Sequence, residues 1–452
     1  MTTSDQPDYF TPSSSTALLT DKYELTMVQA ALAAGTADRR CVFEVFTRRL
    51  PPGRRYGVLA GTGRVLEALE VFRFGDAELA WLERADVVDR RTLDWLAAYR
   101  FSGSIRGYAE GEIFFPGSPV LVVEGTFADA VILETLVLSI LNYDSAVASA
   151  ASRMTSAAGT RPCLEMGARR ANEQAAVAAA RAAVVAGFQG TSNLEAGQRY
   201  GLATIGTAAH SFTLLHDDEE QAFRAQVDAL GPGTTLLVDT YDVTRGVERA
   251  VAIAGPGLGA VRLDSGDLGQ QAVEVRAQLD ALGATGTRIT VTSDLDEFAI
   301  ASLASAPVDS YGVGTSLVTG SGAPTCSMVY KVVARENGAG VMEPVAKASA
   351  SKASVGGRKS AARVLDRAGR AEAELVVSGS DAAVDAWQPG DGQRGLLVDL
   401  VRDGVADAAY TGPEGVRRAA EHHARVRAEL PATALRLSAG DPALPQRSLL
   451  LD

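Results

Sequence analysis

AVRLDSGDLGQQAVEVRAQLDALGATGTRITVT, residues 260–292, holds one full cycle of the pattern that organises this chain. A short β-branched run at 260–264 ends in a carboxylate. A helix-length segment follows at 270–282, where Val273, Val275, Leu279 and Leu282 approximate an apolar stripe. A second β-branched run, ITVT, closes the cycle at 289–292. Strand, helix and strand within about 30 residues read as one βαβ unit.

The same rhythm extends to both sides, with runs at 203–206 (ATIG), 236–239 (LLVD) and 310–314 (SYGVG). Polar residues gather just after the runs: His210, Asp239, Asp264, Asp267, Asp294 and Thr315. In a β/α barrel the C-terminal ends of the strands form the active-site face. We therefore expect an α/β protein with an irregular β/α barrel over residues 126–345. The amino-terminal part lacks this rhythm. It offers a strand at 41–46 (CVFEVF), a Pro/Gly loop at 50–57, a helix at 63–72, a turn and strand at 113–123, and buried helix at 129–158. Beyond residue 347 a polar, Gly-rich stretch precedes strand-like pieces at 373–377 and 396–401. Residues 17–125 are expected to form a second α/β domain that the returning segment 346–452 completes. Residues 1–16, polar and Pro/Ser-rich, read as a flexible arm without a secretion signal.

Composition narrows the function. At 452 residues the chain exceeds the roughly 250–300 at which a single core stops growing. Its most apolar stretch, 130–141, is interrupted by Glu134 and falls short of the roughly 20 residues that span a bilayer, so a buried helix is expected and no membrane partner. Cys41, Cys163 and Cys326 are odd in number and widely spaced, which suits free thiols in the cytoplasm. A net charge of -12 argues against nucleic-acid binding. No G-x-x-x-x-G-K-[ST] string occurs, so a Walker-type ATPase is not expected.

Several strings carry chemistry. In LTDKYELTM (19–27), Thr20 or Asp21 can cap a helix, and Asp21 with Glu24 has capping-box spacing. Tyr23 then falls in the first turn, a position that spacing alone assigns to core packing. VRLDSGDL (261–268) puts Arg262, Asp264 and Asp267 at one strand end, which is costly unless they bind something charged or pair as a structural cluster. Arg262 can fork two N–H donors onto a carboxylate. SYGVGTSL (310–317) sets Gly312, Gly314 and Thr315 at a strand-to-helix turn, where backbone N–H groups can meet a phosphate.

Taken together and in this order, LTDKYELTM, LETLVLSILNYDSAVASAASRM (133–154), EMGARRAN (165–172), GFQGTSN (187–193), GTAAHSF (206–212), LVDTYD (237–242), VRLDSGDL, TSDLDEF (292–298) and SYGVGTSL resemble the nicotinate phosphoribosyltransferase family. The likeness covers residues 19 to 331 and continues more weakly through GGRKSAARV (356–364). The framework is also similar to nicotinamide and, more distantly, quinolinate phosphoribosyltransferases. The resemblance implies an ATP-coupled enzyme of NAD salvage that joins nicotinate to phosphoribosyl pyrophosphate (PRPP) with Mg2+, as a homodimer with shared sites. It assigns Tyr23, from the partner chain, to stacking on the pyridine, and Arg262 and Thr207 to its carboxylate. Arg169 would contact nicotinate or the PRPP phosphates, with Arg170 as a solvated or ion-pairing neighbour. Asp239, Asp264 and Asp267 would serve ribose hydroxyls or Mg2+, and Asp294, Gly312, Gly314 and Thr315 the 5′-phosphate. His210 would be phosphorylated by ATP. Ser192 stands where nicotinamide-specific relatives carry an aspartate, and a hydroxyl there can donate to the acid. Two departures occur: TSDLDEF lacks the glycine common between its serine and aspartate, and GGRK lacks the proline before its second glycine.

Overall fold

The computed structural model describes residues 15–346 and 355–451. The chain divides into two compact units, one of residues 1–149 and 323–452 and the other of residues 150–322. These limits differ from the expected barrel, 126–345, at both ends. Residues 1–14 of the arm and the loop at 347–354 lie outside the described residues. Ser15 and Thr16, assigned to the arm, are tied down: the Thr16 hydroxyl donates to the Ala68 carbonyl at 2.7 Å.

The unit of residues 150–322 is built on six short strands: β1 (Cys163–Glu165), β2 (Gly190–Thr191), β3 (Thr235–Leu237), β4 (Ala260–Leu263), β5 (Arg288–Val291) and β6 (Ser310–Val313). They lie in the order β2-β1-β6-β5-β4-β3, with every adjacent pair parallel. This is the chain order of a ring opened at one seam, between β2 and β3. The run at 203–206, expected as a strand, belongs at that seam. It contributes only one bridge, Thr204 beside Thr191 of β2. Ala203 and Thr204 are exposed, so this run has no core face to bury and nothing fixes a longer ladder.

Helices return the chain between strands: Glu173–Val185, Glu219–Leu230, Val243–Ala254 and Leu268–Ala281 are the long ones. On Leu268–Ala281 the buried face is Ala272, Val275 and Leu279, while Val273 and Leu282 are exposed. Successive helical residues rotate by about 100°, so Val273 cannot share a face with Val275, and the expected stripe is corrected accordingly.

The other unit is built on a seven-stranded antiparallel sheet containing Arg40–Thr47, Leu121–Thr126, Ser104–Tyr108 and Met328–Glu336. Leu397–Arg402 of the returning tail pairs with Ser104–Tyr108 in the same sheet. A second sheet holds Arg358–Leu365 and Ala371–Gly379. The GGRK string enters it, and Lys359 Nζ meets buried Glu44 at 2.7 Å. The stretch 127–158 is long and apolar enough to cross a membrane by length and composition, yet 67% of its apolar window is buried inside the protein. It folds as Phe127–Val131 and Glu134–Ala158, helices of a protein core.

The capping box expected in LTDKYELTM does not form. Asp21 precedes helix Lys22–Ala34 with extended backbone, but its side chain caps nothing. Glu24 is buried instead and accepts from the Thr135 backbone N–H at 2.9 Å and from the Thr20 hydroxyl. Burial pushes its carboxyl pKa up, while the Thr135 and Thr20 donors pull it down. A tertiary partner has displaced the local one.

Candidate active site

The C-terminal ends of β1, β4, β5 and β6 converge on one cleft. Met166, Arg169, Arg170, Arg262, Asp264, Thr292, Ser293, Asp294, Gly314 and Thr315 line a cleft of about 250 Å³. Arg169 and Arg170 sit on the short helix Ala168–Arg170 after β1; both are exposed and both line the cleft. Three arginines and two carboxylates, Asp264 and Asp294, thus share one small cavity, a charged lining suited to polar or charged ligands.

Arg262 projects from β4, and its Nη1 donates to the Thr207 hydroxyl at 2.7 Å. Its Nε is buried and has no hydrogen-bond partner. Burial lowers the guanidinium pKa, nearby Asp264 and Asp239 raise it, and Arg169 lowers it. A guanidinium oriented in this way can fork its remaining donors onto an anion.

Next to it stands a carboxylate and imidazole group. Asp239 follows β3 and has a 2% exposed side chain. Its Oδ2 accepts from the Asp264 backbone N–H at 2.9 Å and from the Ser265 hydroxyl at 2.8 Å, while its buried Oδ1 has no hydrogen-bond partner. Asp264 Oδ1 accepts from the Thr292 hydroxyl. The His210 ring is 42% exposed; its Nδ1 lies 3.1 Å from the Thr240 hydroxyl. Its Nε2 lies 3.7 Å from Asp264 Oδ2 and 4.0 Å from Asp239 Oδ1. Thr240 and Thr292 lay inside quoted strings but had no role there, because a hydroxyl's partner depends on which strands are neighbours.

At the phosphate-like turn, Ser293 takes φ 109. This is the residue where the missing glycine matters: a conformation natural to glycine is held by a serine, at a cost of about 1–3 kcal/mol. Three sequence expectations change. Gly312 is inside β6, where an added Cβ would come 2.6 Å from Thr292 Cγ2 and 2.7 Å from Met166 Sδ; it is a packing glycine beneath the cleft. The helix after Gly314 is one turn, Thr315–Val318, so this turn offers backbone N–H groups and little macrodipole. Asp267 caps helix Leu268–Ala281 by accepting from the Gln270 backbone N–H at 3.1 Å and does not line the cleft. Asp267→Ala is expected to destabilise the protein by about 0.5–2 kcal/mol and leave any Mg2+ dependence of activity unchanged. Thermal unfolding and a Mg2+ titration of the variant check both.

Ser192 is not among the residues that line the cleft. Ser192 follows β2, exposed, with its backbone N–H donating to the Glu165 carbonyl at 2.8 Å. Tyr23 belongs to the other unit, on helix Lys22–Ala34, and is 44% exposed.

Comparison with known proteins bears on the whole chain. A family model, the nicotinate phosphoribosyltransferase (NAPRTase) N-terminal domain, matches residues 18–142. The chain is 57% identical over 442 residues to the nicotinate phosphoribosyltransferase pncB1 of Mycobacterium tuberculosis, covering 96% of this chain and 95% of that protein. It is 35% identical over 363 residues to the nicotinate phosphoribosyltransferase of Bacillus subtilis, covering 78% and 74%. The crystal structure of human nicotinic acid phosphoribosyltransferase overlays with a TM-score of 0.80 at 26% identity, covering 96% of this chain and 98% of that one.

Proposed function

The chain belongs to the nicotinate phosphoribosyltransferase family, and from that membership we propose how its barrel performs the reaction and couples it to ATP. The enzyme joins nicotinate to PRPP, giving nicotinate mononucleotide and diphosphate, a step of NAD salvage. The pyridine nitrogen forms a bond to C1 of the ribose as the C1–O bond breaks, its electron pair leaving with diphosphate. No protein nucleophile is needed at the sugar; positioning and electrostatic stabilisation carry the step.

Arg262 holds the nicotinate carboxylate, aided by Thr207. The observation that carries this assignment is the buried, unpartnered Nε of an arginine already oriented by that hydroxyl. Arg169 and Arg170 meet PRPP phosphates, and the turns at Asp294 and at Gly314 and Thr315 receive the 5′-phosphate. Asp239 and Asp264 serve the ribose hydroxyls and Mg2+. Among the described residues no group of three or more His, Cys, Asp or Glu forms a metal cage. The unpartnered Asp239 Oδ1 beside Asp264 suits Mg2+, which is commonly held by one or two carboxylates together with substrate phosphates. When bound, the ion would neutralise charge on the departing diphosphate. His210 accepts the γ-phosphoryl group of ATP. The enzyme works in the cytoplasm as a homodimer, with Tyr23 of one chain stacking on nicotinate bound by the other.

The test is diphosphate release from PRPP, measured with nicotinate and with nicotinamide in parallel. Release with nicotinate alone supports the reading; equal use of nicotinamide overturns the assignment to the acid. Ser192→Asp probes the same choice. A carboxylate beside that of the substrate repels it, and solvent at this exposed position screens the effect, so kcat/KM for nicotinate is expected to fall about tenfold. An unchanged kcat/KM would remove Ser192 from the nicotinate pocket.

A further inference from the structure

Beneath the cleft lies a carboxylate that the reaction does not use. Glu165, the last residue of β1, is fully buried. Its Oε1 accepts from the Gly167 backbone N–H and its Oε2 from the Thr191 hydroxyl. Among the described residues no lysine, arginine or histidine pairs with it. Burial drives its carboxyl pKa up, and the Thr191 and Gly167 donors draw it down.

The two donors belong to different loops. Gly167 opens the turn that carries Arg169 and Arg170 into the cleft. An added Cβ at Gly167 would strike Val318 and come 2.9 Å from the Gly314 carbonyl, so this turn packs directly on the Gly314–Thr315 turn. Thr191 is the end of β2, and its hydroxyl oxygen also accepts from the Asn193 backbone N–H at 2.9 Å. The Glu165 carbonyl takes the Ser192 backbone N–H at 2.8 Å. One residue thus fixes the loop of Arg169 and Arg170, through its side chain, and the loop of Ser192, through both side chain and backbone.

Burying a carboxylate without a cation costs several kcal/mol, and an apolar pair of similar volume would serve stability as well. We propose that Glu165 is a positioning residue: its carboxylate, bridged to Thr191 and Gly167, sets the spacing between the arginine turn after β1 and the Ser192 loop after β2. This rests on reading the cleft as the nicotinate and PRPP site. The bridge holds the two loops in the geometry that substrates require, so its loss raises KM before it lowers kcat. A residue that merely fills the core would change thermal stability alone.

The experiment compares full-length wild type, Glu165→Gln, Thr191→Val and Thr191→Ser by diphosphate release and thermal unfolding. Glutamine has a single acceptor oxygen and an amide NH2 that only donates, so it cannot accept from both the Thr191 hydroxyl and the Gly167 N–H as the two carboxylate oxygens do; valine deletes the hydroxyl at nearly constant volume, whereas serine keeps it. Thr191→Val and Glu165→Gln are expected to raise KM for PRPP or nicotinate about tenfold or more, with a smaller change in kcat, and Thr191→Ser to restore wild-type KM. Wild-type KM values in folded Thr191→Val overturn the proposal. So does a Thr191→Val chain that fails to fold beside a normal Thr191→Ser, since the bridge would then be a matter of stability. Inactive wild type would instead overturn the reading of the cleft before any variant is considered.

Discussion

A His210→Asn enzyme is expected to lose nicotinate-dependent ATP hydrolysis, together with any base-stable, acid-labile phosphate on the protein. Slow phosphoribosyl transfer should survive at high substrate concentration. On the proposed mechanism an imidazole nitrogen attacks the γ-phosphorus, ADP leaves with the electron pair of the broken P–O bond, and water later cleaves the N–P bond. The ring is suited to this. The Thr240 hydroxyl holds Nδ1 at 3.1 Å, Nε2 faces Asp264 and Asp239, and enough of the ring is exposed for a nucleotide to reach it. Attack leaves positive charge on the imidazole, which the two carboxylates stabilise. The same carboxylates would repel an incoming triphosphate, so the phosphoryl donor should arrive as its Mg2+ complex. Removing the nucleophile is expected to cost on the order of a thousandfold or more in coupled hydrolysis. Asparagine retains a hydrogen-bonding group toward Thr240, so the fold at the end of β3 should persist. Full coupling and undiminished labelling in a folded variant would make His210 a packed loop residue and nothing more.

Much of the barrel was legible because short, buried parallel strands leave an unmistakable mark: a β-branched run, a polar residue, then a helix-length interval. The runs at 260–264, 289–292 and 310–314 became β4, β5 and β6 almost residue for residue. The run at 203–206 carried the same letters and became a single bridge, because its burial depends on a neighbour across the seam that sequence cannot reveal. Asp267 and Asp264 looked alike in VRLDSGDL, yet three residues separate a helix cap from a carboxylate bonded to Thr292 of β5's end. Glycines were the least readable. Gly312 serves packing between Thr292 and Met166, whereas the position where a glycine was missing, Ser293, bends as a glycine would. The role of Glu165 was invisible within EMGARRAN, because Thr191 lies 26 residues away and only the pairing of β1 with β2 brings them together.

Arg262→Ala should raise KM for nicotinate sharply, since truncation removes a charge-assisted fork and leaves the substrate carboxylate facing Asp264 and Asp239 alone. Losing such a buried pairing costs about 2–5 kcal/mol, and the like charges left behind add to it. Binding of PRPP should suffer less, because Arg169 and Arg170 remain in the cleft. Thr207→Val tests the geometry separately: without the hydroxyl that holds Nη1 at 2.7 Å, Arg262 keeps its charge but loses its aim, so a smaller rise in KM is expected. Tyr23→Ala should also weaken nicotinate binding, by removal of a stacking face worth about 0.5–1.5 kcal/mol. The two lesions lie in different units of the chain, and the dimer proposal gives them a distinctive relation. If each site draws Tyr23 from one subunit and Arg262 from the other, a heterodimer of Tyr23→Ala with Arg262→Ala has one site with both lesions and one with neither. Mixed and verified heterodimers should then recover up to half of wild-type activity per dimer, at wild-type KM for nicotinate. If both residues serve one site from one chain, every site in the heterodimer keeps a lesion and no wild-type KM returns. The recovered KM, more than the recovered rate, separates these outcomes, because partial activity can come from either mutant alone but a restored KM requires an intact pair.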